Sequence, residues 1–211
     1  AGKYGTIHLY DGTALDLGTY NLTKNSYLSS ESVNLHSGSA SIRQTGAGTT
    51  HTSLIAGDVL LGSGAELSLD GAGIFAIGGT RIGGDDAVLR VNATQLNLQS
   101  TETVDIAGTL SFAQSGTMHS QAGSAGMTRN INRLEILNGA NLTLTEQGGT
   151  NYWLVNELSG NGTLQWNSTT NHVDGGNSTA SRLVLRREGD FEGSIVLNRT
   201  ASNANHTHGA Y

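Results

Sequence analysis

Gly64-Ala65-Glu66-Leu67-Ser68-Leu69 is a glycine followed by two leucines at alternate positions, with a carboxylate and a hydroxyl between them. In an extended backbone successive side chains leave opposite sides. Leu67 and Leu69 therefore share one face, and Glu66 and Ser68 the other. The glycine supplies the turn that opens the strand. The unit returns as Gly12-Thr13-Ala14-Leu15-Asp16-Leu17, Gly108-Thr109-Leu110-Ser111-Phe112, Gly139-Ala140-Asn141-Leu142-Thr143-Leu144, Gly162-Thr163-Leu164-Gln165-Trp166 and Gly193-Ser194-Ile195-Val196-Leu197. Weaker copies pair Gly38 with Ala40 and Ile42, and Gly84 with Leu89 and Val91. The first apolar positions are 15, 40, 67, 89, 110, 142, 164 and 195, at intervals of 25, 27, 22, 21, 32, 22 and 31 residues, averaging about 26. A second apolar pair precedes most copies: Ile7/Leu9, Val33/Leu35, Val59/Leu61, Val104/Ile106 and Leu134/Ile136.

One such strand buries too little to offset its ordering entropy. Copies stacked in register, ~4.8 Å apart, build a continuous apolar stripe and pair each backbone group with the coil above or below. The expectation is an all-β, single-stranded parallel β-helix (a β-solenoid) of about eight coils averaging about 26 residues. It spans 1–211 as one domain, read as a segment of a longer chain or a self-stacking unit. Gly12, Gly38, Gly64, Gly84, Gly108, Gly139, Gly162 and Gly193 are the expected repeat turns. An antiparallel β-sandwich or jelly roll is the alternative, because it too shows short strands every ~8–12 residues. The recurring unit and the low aromatic content of 5% count against it. So does the absence of proline, which cannot donate to a strand ladder. The intervals place insertions at 113–131 and 167–181, both polar and read as protruding loops. The segment 129–138 reads as a strand followed by an Asn-Gly turn.

The 211 residues include 30 glycines, no proline and no cysteine, which excludes a disulfide framework and a cysteine-based metal site. The formal charge is -6 and no basic stripe stands out, since Arg186-Arg187 is followed by Glu188 and Asp190. Nucleic acid is therefore not an expected partner. No apolar run approaches the ~20 residues of a membrane span.

Two stretches carry more than periodicity: Leu158-Ser159-Gly160-Asn161-Gly162-Thr163-Leu164-Gln165-Trp166, and the run from Leu183 through Phe191, Gly193 and Ile195 to Leu197. Together they resemble the autotransporter-associated β-strand repeat, a Leu-x-Gly-x-Gly-Thr-Leu turn followed by a stretch ending Phe-x-Gly-x-Ile-x-Leu. Leu137-Asn138-Gly139-Ala140-Asn141-Leu142-Thr143-Leu144 is a degenerate copy, so the match covers about 137–200. The resemblance implies a right-handed parallel β-helix in the passenger region of a bacterial surface protein, often adhesive and located extracellularly or at the cell surface.

β-Helices also carry polysaccharide lyases and glycosidases, whose chemistry needs two carboxyls ~5–10 Å apart. Asp85-Asp86 is the adjacent pair considered, and Asp85, Asp86, Glu102 and Asp105 form an acidic edge if neighbouring coils align them. Solvated turn residues are the plainer reading. The tract 78–86 resembles a calcium-binding Gly-Gly-x-Gly-x-Asp nonapeptide, but occurs once with Arg81 inside it. His206 and His208 share a strand side with no third ligand nearby. No nucleophile elbow or phosphate loop occurs. Eight Asn-x-Ser/Thr sequons start at Asn21, Asn92, Asn141, Asn161, Asn167, Asn177, Asn198 and Asn205. Tyr152 and Trp153 are candidate glycan contacts; being adjacent, one points in and one out, and Trp166 is expected in the core.

The expected function is thus a non-enzymatic extracellular structural or adhesive module, with no catalytic, cofactor or metal residues assigned. Its expected partners are a host or matrix glycan, a surface protein, or copies of itself end to end. The alternatives are a glycan-active β-helical enzyme (lyase, glycosidase or tailspike-like depolymerase) and a self-assembling extracellular filament subunit.

Overall fold

A computed structural model of the chain describes residues 5–18, 32–45, 52–121, 127–147, 151–168 and 181–199. The described residues form eighteen strands and no helix, and the strand pairs are parallel. The fold is a parallel β-solenoid with three faces.

The first face stacks Ile7–Leu9, Val33–Leu35, Val59–Leu61, Arg81–Gly83, the opening halves of Val104–Phe112, Met127–Ile136 and Asn151–Gly160, and then Arg182–Leu185. Its inward column runs Ile7, Val33, Val59, Ile82, Ile106, Ile131, Val155 and Leu185, each paired with the next. The members from Val33 to Val155 are buried, and the two at the ends are partly so. β-Branched side chains suit this site because they pack stiffly against the neighbours above and below. The second face carries the inward column Leu67, Leu89, Leu110, Leu134 and Leu158. The third carries Phe75, Leu96, Met118, Leu144 and Trp166. Trp166 packs on the core while partly buried, in register with Leu144.

Five successive turns, from Val59 to Ser168, have strands on all three faces hydrogen-bonded on both sides. The closed solenoid is therefore about five turns, fewer than the eight coils expected. Among the described residues eight is the depth of the first and second faces, and the third is seven strands deep, so the sequence recurrence counted end layers together with closed ones.

The recurring glycine-plus-pair unit also proves to serve two corners. Between the first and second faces, Thr13, Ala65 and Ala87 donate their amides to the carbonyls of Tyr10, Gly62 and Gly84. Lower down, the first two faces are joined inside single bent strands such as Val104–Phe112, with a register shift between Ile106 and Thr109. The tight turn there moves to the corner between the second and third faces, where Ala140 donates to Leu137 at 2.9 Å. Leu110 therefore stacks on Leu134, not on Leu142, and the interval of 32 residues between Leu110 and Leu142 spans a change of face. The turn chemistry is the same at both corners, so periodicity could not separate them.

Where it is described, the segment 113–131 is mostly strand instead of a protruding loop. It contains Gly116–Gln121 and the start of Met127–Ile136, with Met118 fully buried. Its apolar content is low because the inward position after Met118 holds Ser120. The other expected loop, 167–181, lies outside the described residues between 169 and 180.

Candidate functional site

With the interior filled, chemistry is left to the corners and the outward sides of the strands. Asp85 and Asp86 sit in the turn closed by the Ala87 amide on the Gly84 carbonyl, at 3.1 Å. Asp86 has a φ of 55°, the left-handed conformation that Gly64 occupies at φ 69° in the equivalent turn one coil earlier. Asp tolerates it better than most residues. Asp105 lies on the first face between Arg81 and Asn130, and accepts a 2.6 Å hydrogen bond from Asn130 Nδ2. Glu102 stands at the corner between the third and first faces, where its amide donates to Ser100 Oγ at 3.1 Å. The fold thus spreads the acidic candidates over two corners and a face. Among the described residues no group of three or more His, Asp or Glu is placed to hold a metal ion.

Arg81, inside the Gly-rich tract 78–86, is held by Asp58, which accepts from the amides of Thr80 (2.9 Å) and Arg81 (3.0 Å) and from Arg81 Nε (2.9 Å). Partial burial alone would raise the Asp58 carboxyl. The hydrogen bonds from Arg81 and Thr80, with the Arg81 charge, outweigh it and hold the carboxyl below its ordinary value.

Trp153 is fully buried in register between Arg129 and Leu183, so it makes no surface contact. Alternation places it on the side of Val155. Tyr152 is the outward member of the pair, with the Arg182 guanidinium 5.7 Å from its ring centroid. His206 and His208 lie outside the described residues.

Two features had no sequence signal. The first is Arg129, an inward residue with no exposed surface. Its Nε donates to Ser120 Oγ at 2.9 Å, Nη1 to the Glu102 carbonyl at 2.7 Å and Nη2 to the Ser100 carbonyl at 2.8 Å. Longer bonds reach the carbonyls of Thr128 and Gln121. Burial lowers its pKa to about 10, and it stays charged at neutral pH. The fork ties together backbone from two successive turns at the corner between the third and first faces. The second feature is a pair of exposed histidines on adjacent turns. His8 Nδ1 and His36 Nε2 are 3.2 Å apart with ring planes 1° from parallel, so one imidazole donates to the other. The residues are 28 positions apart, beyond any local motif.

No known protein family, curated protein or solved structure matches the chain. The fold therefore stands on its own strand pairing, and the site on its own geometry.

That geometry divides the outer surface by charge. On the second face Arg90 Nε meets Glu66 at 2.8 Å, Arg133 meets Glu157 and Asp190 at 3.4 Å, and Ser111 Oγ donates to Glu135 at 2.7 Å. The third face differs. Its first outward column is Gln95, Thr117, Thr143 and Gln165. Its second is Asn97, His119, Thr145 and Asn167. Gln95 Nε2 donates to Asn97 Oδ1 at 2.7 Å and Gln165 Nε2 to Asn167 Oδ1 at 3.1 Å, while Thr145 Oγ1 and His119 Nδ1 share a hydrogen bond. Burial lowers the His119 pKa below its ordinary value, so the ring is neutral at neutral pH.

Proposed function

We propose that this chain is a non-enzymatic structural or adhesive β-helix module of a bacterial surface or secreted protein. The observation that carries the reading is the run of five turns hydrogen-bonded on both sides over one apolar core, which makes a stiff scaffold for outward side chains. The resemblance of 137–200 to the autotransporter-associated repeat supports a passenger region at the cell surface. The placement of Asp85, Asp86, Glu102 and Asp105 at separate corners and faces supports a binding role over hydrolysis. Incubation with a polysaccharide panel tests this. Retention without turnover is expected. Steady release of reducing ends or unsaturated products would overturn it in favour of a β-helical lyase, glycosidase or depolymerase.

A second reading, a self-assembling filament subunit, is favoured by the strand Ser194–Arg199. Ile195, Val196 and Leu197 are 44%, 38% and 41% exposed there, beside the one neighbouring strand they pair with among the described residues. Such an edge accepts another strand. Light scattering that finds a monomer at high concentration would remove this reading.

A further inference from the structure

We propose that the third face, across the turns carrying Gln95, Thr117, Thr143 and Gln165, binds a neutral polysaccharide whose chain runs along the stack. The proposal rests on the adhesive reading and names the ligand class for it.

Charge is the first argument. The second face carries ion pairs between Glu66 and Arg90 and between Arg133 and Glu157, whereas both outward columns of the third face are amides, hydroxyls and a neutral imidazole. A carboxylated or sulfated glycan would need cations that this face does not present. Neutral amides and hydroxyls donate and accept at once, as sugar hydroxyls do. The internal bond from Gln165 to Asn167 uses one of the glutamine's donors and leaves its amide with further donor and acceptor capacity.

Register is the second argument. The strands bearing these columns pair without a register shift from Gln95 to Asn167, so like groups recur once per strand spacing of ~4.8 Å. A linear polymer of identical sugars offers hydroxyls at a regular repeat and can engage several turns together. A protein partner is disfavoured, because across these four turns the two columns offer no outward aromatic or aliphatic anchor of the kind that dominates protein interfaces, the exposed Val196 lying one layer beyond Gln165. Sheet addition by a peptide uses a strand edge, and these strands are paired on both sides.

The test is affinity electrophoresis and calorimetry of the full chain against neutral polymers (a β-glucan, a mannan, a galactan) and anionic ones (polygalacturonate, heparin). At least one neutral polymer is expected to bind and the anionic ones not. Thr117→Val with Thr143→Val keeps the β-branched shape and removes two outward hydroxyls. It is expected to weaken binding about tenfold or more, from about three- to tenfold per lost hydrogen bond. Gln165→Ala truncates an outward side chain and repeats the test if the double variant folds poorly. Arg90→Gln, on the second face, is expected to leave binding unchanged. Binding to anionic polymers alone, or to no polymer, overturns the proposal while leaving an adhesive role for another surface. So does neutral-polymer binding that survives the third-face variants or falls with Arg90→Gln. Steady polymer turnover instead overturns the adhesive reading itself.

Discussion

Replacing Arg129 with methionine removes a buried cation and keeps much of its length. Two opposed quantities decide the outcome. The guanidinium makes three short hydrogen bonds, at 2.9, 2.7 and 2.8 Å, to Ser120, Glu102 and Ser100. Hydrogen bonds from a charged donor contribute ~1.5–3 kcal/mol each, or about 6 kcal/mol for the three. Against this, burial lowers the pKa well below the ordinary arginine value, to about 10. That corresponds to a penalty of roughly 3 kcal/mol for holding the charge inside at neutral pH, which methionine relieves. The net expectation for Arg129→Met is destabilisation by about 3 kcal/mol, and a melting temperature lower by ~6–12 °C for a chain of this size. Urea and thermal unfolding followed by far-ultraviolet circular dichroism measure it. Arg129→Lys should lose nearly as much, since an ammonium cannot span the fork. A melting temperature unchanged or raised in Arg129→Met would refute the reasoning. It would mean that the desolvation cost exceeds the bonds and that an apolar side chain between Val104 and Trp153 serves the stack better.

Other outcomes follow from the same geometry. Asp86→Gly relieves an L-residue held at φ 55° and should stabilise the chain by ~0.5–1 kcal/mol, whereas Gly64→Ala at φ 69° should cost ~1–2 kcal/mol; paired urea midpoints check both. Ile131→Ala, in the middle of the first-face column and fully buried, should cost ~2–5 kcal/mol, and Ile7→Ala, at its partly buried end, clearly less. Burial lowers the His119 pKa, so the folded chain takes up that proton less readily than the unfolded chain does. Its contribution is full above the unfolded value of ~6.5 and is lost as pH falls from there through the folded value. The stability advantage of the native chain over His119→Gln should therefore shrink between pH 7.5 and pH 5, and a difference that grows on acidification would contradict it.

The alternation of Leu67 and Leu69 with Glu66 and Ser68, the repeated Gly-plus-pair unit and the absence of proline were enough to read a parallel solenoid, because they are local consequences of a strand with one wet side. The Asn138-Gly139 turn was legible for the same reason, and both residues have positive φ, 55° and 67°. The split between Tyr152 and Trp153 was legible as one residue in and one out. The residue that went in was set by pairing with Arg129 and Leu183. Tertiary structure alone decided which corner each glycine turn serves, because the bend can sit at either corner without changing the local chemistry. It alone decided that Arg129 is interior, since an arginine at an inward register is tolerable only where hydroxyl and carbonyl acceptors from two other turns meet it. It alone set His8 beside His36, and gathered Gln95, Thr117, Thr143 and Gln165 into one uncharged column. These neighbours lie more than 20 residues apart in the chain and one strand spacing apart in space. A sequence records which side a residue faces, but what it faces is set by the register of the coils around it.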